Sequence, residues 1–280
     1  MDDNEYMKQK SVIIFGGSTG IGLNIARHLS KSSRVYISSS NQDSLNKGLQ
    51  FIYREDVNQN LEKKICLNFE NNSSIEAGLS HILNLQQIFD CVIISSAVLG
   101  PSGEIEDIDF LSWRQTFEVN LFGPVRVIQF FLRKKLIRKN GKIIIISGGI
   151  SEPDPFFTSF NSSKHALNGF AHSLAHQLSS KKIWVNSILP GSFHTRMNEK
   201  RLEMGPQKIG KENFAIAQKR VSEVEAPKYK KLYDLVDFLI SEKSLKIFGR
   251  LISAQFDNWI ENIKEMKDPN HEIYKIVRTK

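Results

Sequence analysis

The sequence predicts an α/β domain built on a doubly wound parallel sheet of about seven strands, with helices on both faces. Two observations predict it. Short, continuously apolar runs recur along the chain, the pattern of strands buried on both faces rather than half-exposed ones. Stretches of helical periodicity separate these runs, so strand and helix alternate as crossover-connected parallel strands require. A third observation sets the scale: 280 residues, 40% of them hydrophobic, suit one large domain.

The first strand is expected at residues 11–15, an uncharged apolar run, and a helix follows over 23–31. A second strand at 34–38 and a helix over 41–54 repeat the unit, as do a strand at 64–67 and a helix over 73–85. The fourth strand is expected at 91–95, followed by a long helical pattern spanning 109–137. The isoleucine run at 142–147 reads as a central strand, and the helix after it covers 158–178. Strands at 184–189 and 251–254 flank a helix over 232–241. The one long interruption is 196–231, after Pro190-Gly191, and a segment of that length inside a compact domain reads as a lid or binding element. The domain is thus expected over 10–257, after a polar N-terminal segment at 1–9. A polar tail at 258–280 follows, readable as a helix, an arm or a disordered end.

Composition narrows the function classes. No stretch approaches the roughly 18–20 apolar residues of a membrane span, and the polar, acidic N-terminus has no apolar signal region. Cys66 and Cys91 lie in apolar runs and are expected as small buried hydrophobes, with neither a disulfide framework nor a metal site implied. The reducing cytoplasm is the expected compartment. The net charge is +8, but the basic residues are dispersed and aromatics do not interleave with them, so no nucleic-acid surface is expected. The most basic stretch, 196–231, is mixed with glutamates; it reads either as a solvated face or as a basic lid over an anionic small substrate. His165, His172 and His176 share a helix face but have no carboxylate partner at ligand spacing, so a subunit interface or solvent face is expected there rather than a metal.

The sharpest motif is Gly16-Gly17-Ser18-Thr19-Gly20-Ile21-Gly22, between the first strand and its helix. Glycines there allow a tight turn and a close backbone approach, and the helix aims its first amides at negative charge. That strand-turn-helix context is the one a dinucleotide pyrophosphate site of the Rossmann type requires.

Further motifs in order along the chain resemble the short-chain dehydrogenase/reductase family. Phe117-Glu118-Val119-Asn120 resembles its helix with an active-site asparagine, and Gly141 to Ser147 its strand delivering the substrate-binding serine. Val185 to Gly191 followed by Thr195 is similar to the strand and turn that hold the nicotinamide. The resemblance covers about residues 10–257. It implies reversible carbonyl/alcohol hydride transfer on a small-molecule substrate, with Asn120, Ser147 and Lys164 in the site. It also implies a homodimer or homotetramer built on the long helices around Asn120 and Lys164.

The departures are specific. The family places a tyrosine four residues before the lysine, so that the ammonium lowers the phenol's pKa and the phenol moves the reaction's proton. Here the segment is Phe160-Asn161-Ser162-Ser163-Lys164, with the lysine present and the hydroxyl missing. Replacement donors are His194, Asp154 or a water held by Ser147 and Lys164; Tyr229 and Tyr233 enter only if the lid folds over the site. The family's serine usually falls one position later, where Gly148 stands. Phe15 replaces a usual threonine, and Val98 in Ser95-Ser96-Ala97-Val98 stands where glycine is usual. The aromatic pair Phe156-Phe157 reads as either pocket or core.

The expected cofactor contacts are Gly16, Ser18, Thr19, Gly20, Ile21 and Gly22 on the phosphates. Ser39, Ser40, Asn68 and Phe69 are expected along the adenosine, with Ser95 and Ala97 lining the cofactor and bracing the sheet. Lys164, Pro190, Gly191, Phe193 and Thr195 are expected around the nicotinamide. No acid follows the second strand to bond a ribose 2′-hydroxyl, which favours NADP over NAD, although Ser39 and Ser40 also read as plain turn residues. The function expected is an NAD(P)-dependent oxidoreductase with a non-standard proton donor. The alternative is a catalytically silent relative that binds the dinucleotide as a sensor, scaffold or partner subunit.

Overall fold

The computed structural model describes residues 9–53, 61–148, 154–222 and 226–276. Seven strands run in chain order: β1 (Ser11–Phe15), β2 (Arg34–Ser39), β3 (Leu61–Cys66), β4 (Phe89–Ile94), β5 (Ile137–Ile146), β6 (Trp184–Leu189) and β7 (Leu251–Ser253). They form one parallel sheet in the order β3-β2-β1-β4-β5-β6-β7. The order reverses between β1 and β4, and the carboxyl ends of those strands open the crevice where doubly wound sheets bind ligands.

The strand period divides the core in two. Val12, Ile14, Ile144 and Ile146 face one side, against α1 (Gly20–Leu29), α2 (Gln42–Tyr53) and α10 (Ala226–Ile240). Ile13, Phe15, Ile143 and Ile145 face the other, against α3 (Asn72–Asn84), α5 (Gly123–Arg133) and α6 (Thr158–Ser179). Phe15 therefore points away from the cofactor turn; its ring packs edge-on to Phe131 at 5.9 Å.

The expected single helix over 109–137 is three pieces: α4 (Phe110–Phe117), one π-helical turn at Glu118–Phe122, and α5. Pro124 has no N–H to continue an α-helical ladder, and the wider turn absorbs the break. The helix ends at Arg133; Lys135 beyond it lies in the left-handed region at φ 55, and Ile137 opens β5 rather than closing a helix. Sequence pattern missed the first half of β5 because Arg138, Lys139 and Asn140 interrupt its apolar run. Cys91 is buried as expected, but Cys66 is exposed: it ends β3, an edge strand with neighbours on one side alone.

The stretch 196–231 holds α7 (Arg196–Met204), α8 (Pro206–Ile209), α9 (Lys211–Ser222) and the first turns of α10, with 223–225 outside the described residues. Residues 1–8, 149–153 and 277–280 also lie outside them, which takes in most of the N-terminal segment and part of the loop before α6. Described residues of the C-terminal stretch pack onto the domain. Trp259 stacks on Phe238 at 4.8 Å, Met266 is buried, and α11 (Ile263–Lys267) lies beside Arg250. Arg250 is 1% exposed and donates to the carbonyls of Met266, Asp268, His271 and Ile273.

Candidate cofactor and active site

The β1–α1 turn is held by steric necessity. Gly16 has φ +79, and a Cβ there would stand 2.5 Å from the Ser96 amide nitrogen; one on Gly22 would collide with the Gly16 carbonyl. Thr19 precedes α1 without capping it through its side chain, so the helix's first amides open toward the crevice. Thr195 forms the opposite lip, its Cγ2 3.4 Å from where a Gly20 Cβ would be.

One cavity of about 1210 Å³ takes in the whole crevice. Its phosphate end is lined by Gly16, Ser18, Thr19, Gly20, Ile21 and Gly22. Ser39, Ser40, Asn68 and Phe69 line the end beyond β2, where Ser18 Oγ donates to Ser39 Oγ at 2.8 Å. Ser95 and Ala97 line its floor, and Pro190, Gly191, Phe193 and Thr195 its far wall. Gln255 fixes that wall by donating to the Pro190 carbonyl at 2.9 Å.

At the reacting end, Ser147, Phe160 and Lys164 line the same cavity. Ser147 follows β5 directly, and its Oγ is buried with no hydrogen-bond partner, as is the Oγ of Ser96. Lys164 is 3% exposed, and its Nζ donates to the Ile146 carbonyl at 3.4 Å. Burial pulls its pKa down to about 8. Orphaned hydroxyls, an under-bonded ammonium and a glycine cradle that no Cβ enters together fit a nicotinamide dinucleotide.

Asn120 stands behind the cavity lining. It is fully buried off the cavity: its Oδ1 accepts from Val98 N–H at 2.8 Å, and its Nδ2 donates to the Val98 carbonyl at 3.0 Å and Ser163 Oγ at 2.9 Å. The π turn aims it inward, where it clamps the backbone of Val98 against α6. It holds Val98, which lines the cavity, in place.

The replacement donors separate cleanly. His194 is bonded to Glu199 at 3.1 Å and does not line the cavity. Tyr229 stacks on Phe193 at 4.3 Å and Tyr233 on His28 at 4.2 Å, both against the α1 side of the fold. Asp154 lines the cavity but accepts from Phe156 N–H at 3.1 Å and Asn213 Nδ2 at 3.0 Å. Phe157 is core, packed with Leu99, Phe160 and Ile209, whereas Phe156 lines the cavity. His172 and His176 pack side by side near Phe248 and Gly249, and no cluster able to hold a metal occurs among the described residues.

Asn41 and Ser96, which belong to the segments 38–41 and 95–98, also line the cavity, and sequence reasoning passed over Ser44 and Ser192, which line it too. Asn41 had a legible signal: it accepts from the Ser44 amide at 2.8 Å as a helix N-cap, and N-caps fall where strand gives way to helix. The lid contributes Met197, Lys200, Arg201, Asn213 and Ile216, for which the charged, weakly periodic sequence carried no signal.

The short chain dehydrogenase family profile matches residues 10–205. A human relative, dehydrogenase/reductase SDR family member 4, is 24% identical over 254 residues, covering 90% of this chain and 88% of its own. From Bacillus subtilis (strain 168), 2-dehydro-3-deoxy-D-gluconate 5-dehydrogenase is 28% identical over 209 residues, covering 70% and 78%. The fold is shared with an actinorhodin polyketide ketoreductase variant crystallised with NADPH, at TM-score 0.73 and 20% identity over 88% of this chain and 95% of that one. It is shared equally with an NAD+-bound xylitol dehydrogenase, at TM-score 0.70 and 19% identity over 87% and 96%.

Proposed function

The chain belongs to the short-chain dehydrogenase family, and from that premise we propose that it is an NADP-dependent oxidoreductase acting on a carbonyl or alcohol, with an unusual proton donor. The observation that carries the reading is that Ser147 Oγ and Lys164 Nζ, both under-bonded, stand in the wall of one cavity whose other end is a glycine cradle. A nicotinamide held there by the glycine cradle and the Pro190–Thr195 wall would supply or accept the hydride. Ser147 Oγ donates to the substrate's carbonyl oxygen. Lys164 Nζ holds the proton that this oxygen receives, passing it through a water shared with Ser147, because Phe160 has no hydroxyl to do so. Burial favours the release: an ammonium whose pKa is about 8 gives up a proton far more readily than one in water.

Preference for NADP rests on the end beyond β2. Ser39, Ser40, Asn41 and Ser44 offer hydroxyls and an amide to a 2′-phosphate, and the carboxylate lining this end, Glu70, lies in the turn after β3 rather than at the end of β2. Association of copies is supported by apolar side chains left exposed on and beside α4: Phe110 at 68%, Leu111 at 64% and Phe122 at 44%.

The test is a fluorescence titration of the purified protein with NADPH and, separately, NADH, followed by a carbonyl panel. Micromolar binding with NADPH preferred, and turnover lost in Lys164→Ala, is the expected result. Binding without turnover across the panel, in wild type and Phe160→Tyr alike, would leave a silent dinucleotide-binding relative. Absence of binding to either cofactor sinks both readings.

A further inference from the structure

The lid side of the cavity carries a cation that its surroundings only half satisfy. Arg201, on α7, is 8% exposed, with its guanidinium carbon 4.5 Å over the Phe157 ring. Its Nε is buried without a hydrogen-bond partner, and a terminal nitrogen stands 3.5 Å from Asp154 Oδ2. A full charge-assisted bond is about 2.7–2.9 Å long, so the pair is loose. Asp154 is committed elsewhere: its Oδ1 takes the Phe156 amide and Asn213 Nδ2, tying α9 to the start of α6. A buried guanidinium with bonds unmade is costly, and a second anion relieves that cost.

The surroundings point the same way. Lys200, Lys211 and Arg220 line this side of the cavity with Arg201, and the carboxylates among them are Asp154 and Glu212. The cofactor's phosphates have their own cradle at the start of α1, across from Thr195. Phe157, under Arg201, packs in the same apolar cluster as Phe160, so the cation adjoins the reacting end. Resting on the reductase reading, we propose that Arg201 is an oxyanion site and that the substrate is a carbonyl compound with a carboxylate or phosphate at its other end. Leu99, Phe156 and Met197 cover the apolar body between the two ends.

Two matched pairs test this with saturating NADPH: 4-oxopentanoate against its methyl ester, and dihydroxyacetone phosphate against dihydroxyacetone. Whichever pair fits, the anionic member should have kcat/KM about tenfold or more above the neutral one, the scale of one charge-assisted bond. The pair that responds tells carboxylate from phosphate. Arg201→Met should erase the preference by raising KM for the anion while leaving the neutral member within about threefold. Asp154→Asn keeps an Oδ1 acceptor for Phe156 and Asn213 but removes the competing charge, so KM for the anion should fall. If Arg201 and Asp154 were only a lid latch, Asp154→Asn would raise KM for both members, and that result overturns the proposal. Equal kcat/KM within both pairs, or a preference that survives Arg201→Met, overturns it too. Should neither pair turn over, thermal shift separates the two readings. A rise in Tm with 4-oxopentanoate or dihydroxyacetone phosphate in the presence of NADP+, absent in Arg201→Met, keeps the anion site while the reductase reading fails. No rise removes it.

Discussion

Lys164 Nζ lies 5.9 Å from the centre of the Phe160 ring, one helical turn along the same face of α6. In that arrangement the lysine faces a ring that can neither give nor take a proton. The space and the charge are those of a phenol–ammonium pair, and only the hydroxyl is absent.

Phe160→Tyr should therefore raise carbonyl reduction. A positioned general acid contributes roughly 10²–10⁴-fold, so at least a tenfold gain in kcat is expected at neutral pH. Steady-state kinetics on one substrate for both proteins checks it. An unchanged or lower kcat would mean that the proton already arrives efficiently by another path, and would leave Lys164 holding the cofactor alone.

The buried lysine also sets a pH dependence of stability. Its folded pKa is about 8, below the ordinary 10.5, because burial disfavours the charged form. Between those values the unfolded chain binds more protons than the folded one, so stability rises as pH climbs from about 8 to about 10.5. The penalty is present in full below pH 8 and amounts to about 3 kcal/mol at about 1.36 kcal/mol per pKa unit. Lys164→Met should then be more stable than wild type at pH 7, with the advantage vanishing by pH 10.5. Urea unfolding across that range reads the gap. A constant gap would show that Lys164 is not buried as a charge.

How far the sequence carried depended on the kind of signal. Strands such as β1 and β4 were legible because nothing but burial on both faces explains the unbroken apolar runs Val12–Phe15 and Cys91–Ile94. The glycine turn was legible because Gly16 and Gly22 answer a steric demand that no other residue meets. Asn120 was legible as a residue, whereas its bonds to Val98 and Ser163 were not, since they depend on the π turn and on packing against α6. The Arg201–Asp154 pair was illegible: the two lie far apart in the chain, and α7 shows only a weak helical pattern of charged residues.

The steric reading of the glycine turn has its own consequence. Gly22→Ala should abolish NADPH binding and lower stability, because the new methyl meets the Gly16 carbonyl and forces the cradle open. Gly169→Ala is the matched control: on α6 a Cβ there meets nothing within 4 Å. It should stabilise the helix by about 0.8–1 kcal/mol and leave binding alone. Fluorescence titration and urea midpoints on both variants decide the matter. Gly22→Ala with normal NADPH affinity would place the phosphates elsewhere.

Arg250 has the largest expected effect on stability. Its guanidinium is buried beneath the C-terminal stretch and donates to four of its carbonyls: Met266 at 3.0 Å, Asp268 at 2.6 Å, His271 at 2.6 Å and Ile273 at 2.8 Å. The stretch has little regular structure of its own beyond the five residues of α11, so these bonds replace a backbone ladder. Arg250→Met keeps the apolar stem and removes every donor, leaving several carbonyls to be hydrated or orphaned at about 1–3 kcal/mol each. A loss of at least about 3 kcal/mol is expected, with proteolytic cleavage appearing first between residues 258 and 276. Arg250→Lys restores the charge without the planar fork and should recover only part of the loss. The glycine cradle lies at the opposite side of the sheet's switch point, so NADPH affinity should hold in whatever fraction stays folded. A loss below about 1 kcal/mol in Arg250→Met would mean that Trp259 and Met266, by apolar contact alone, hold the C-terminal stretch in place.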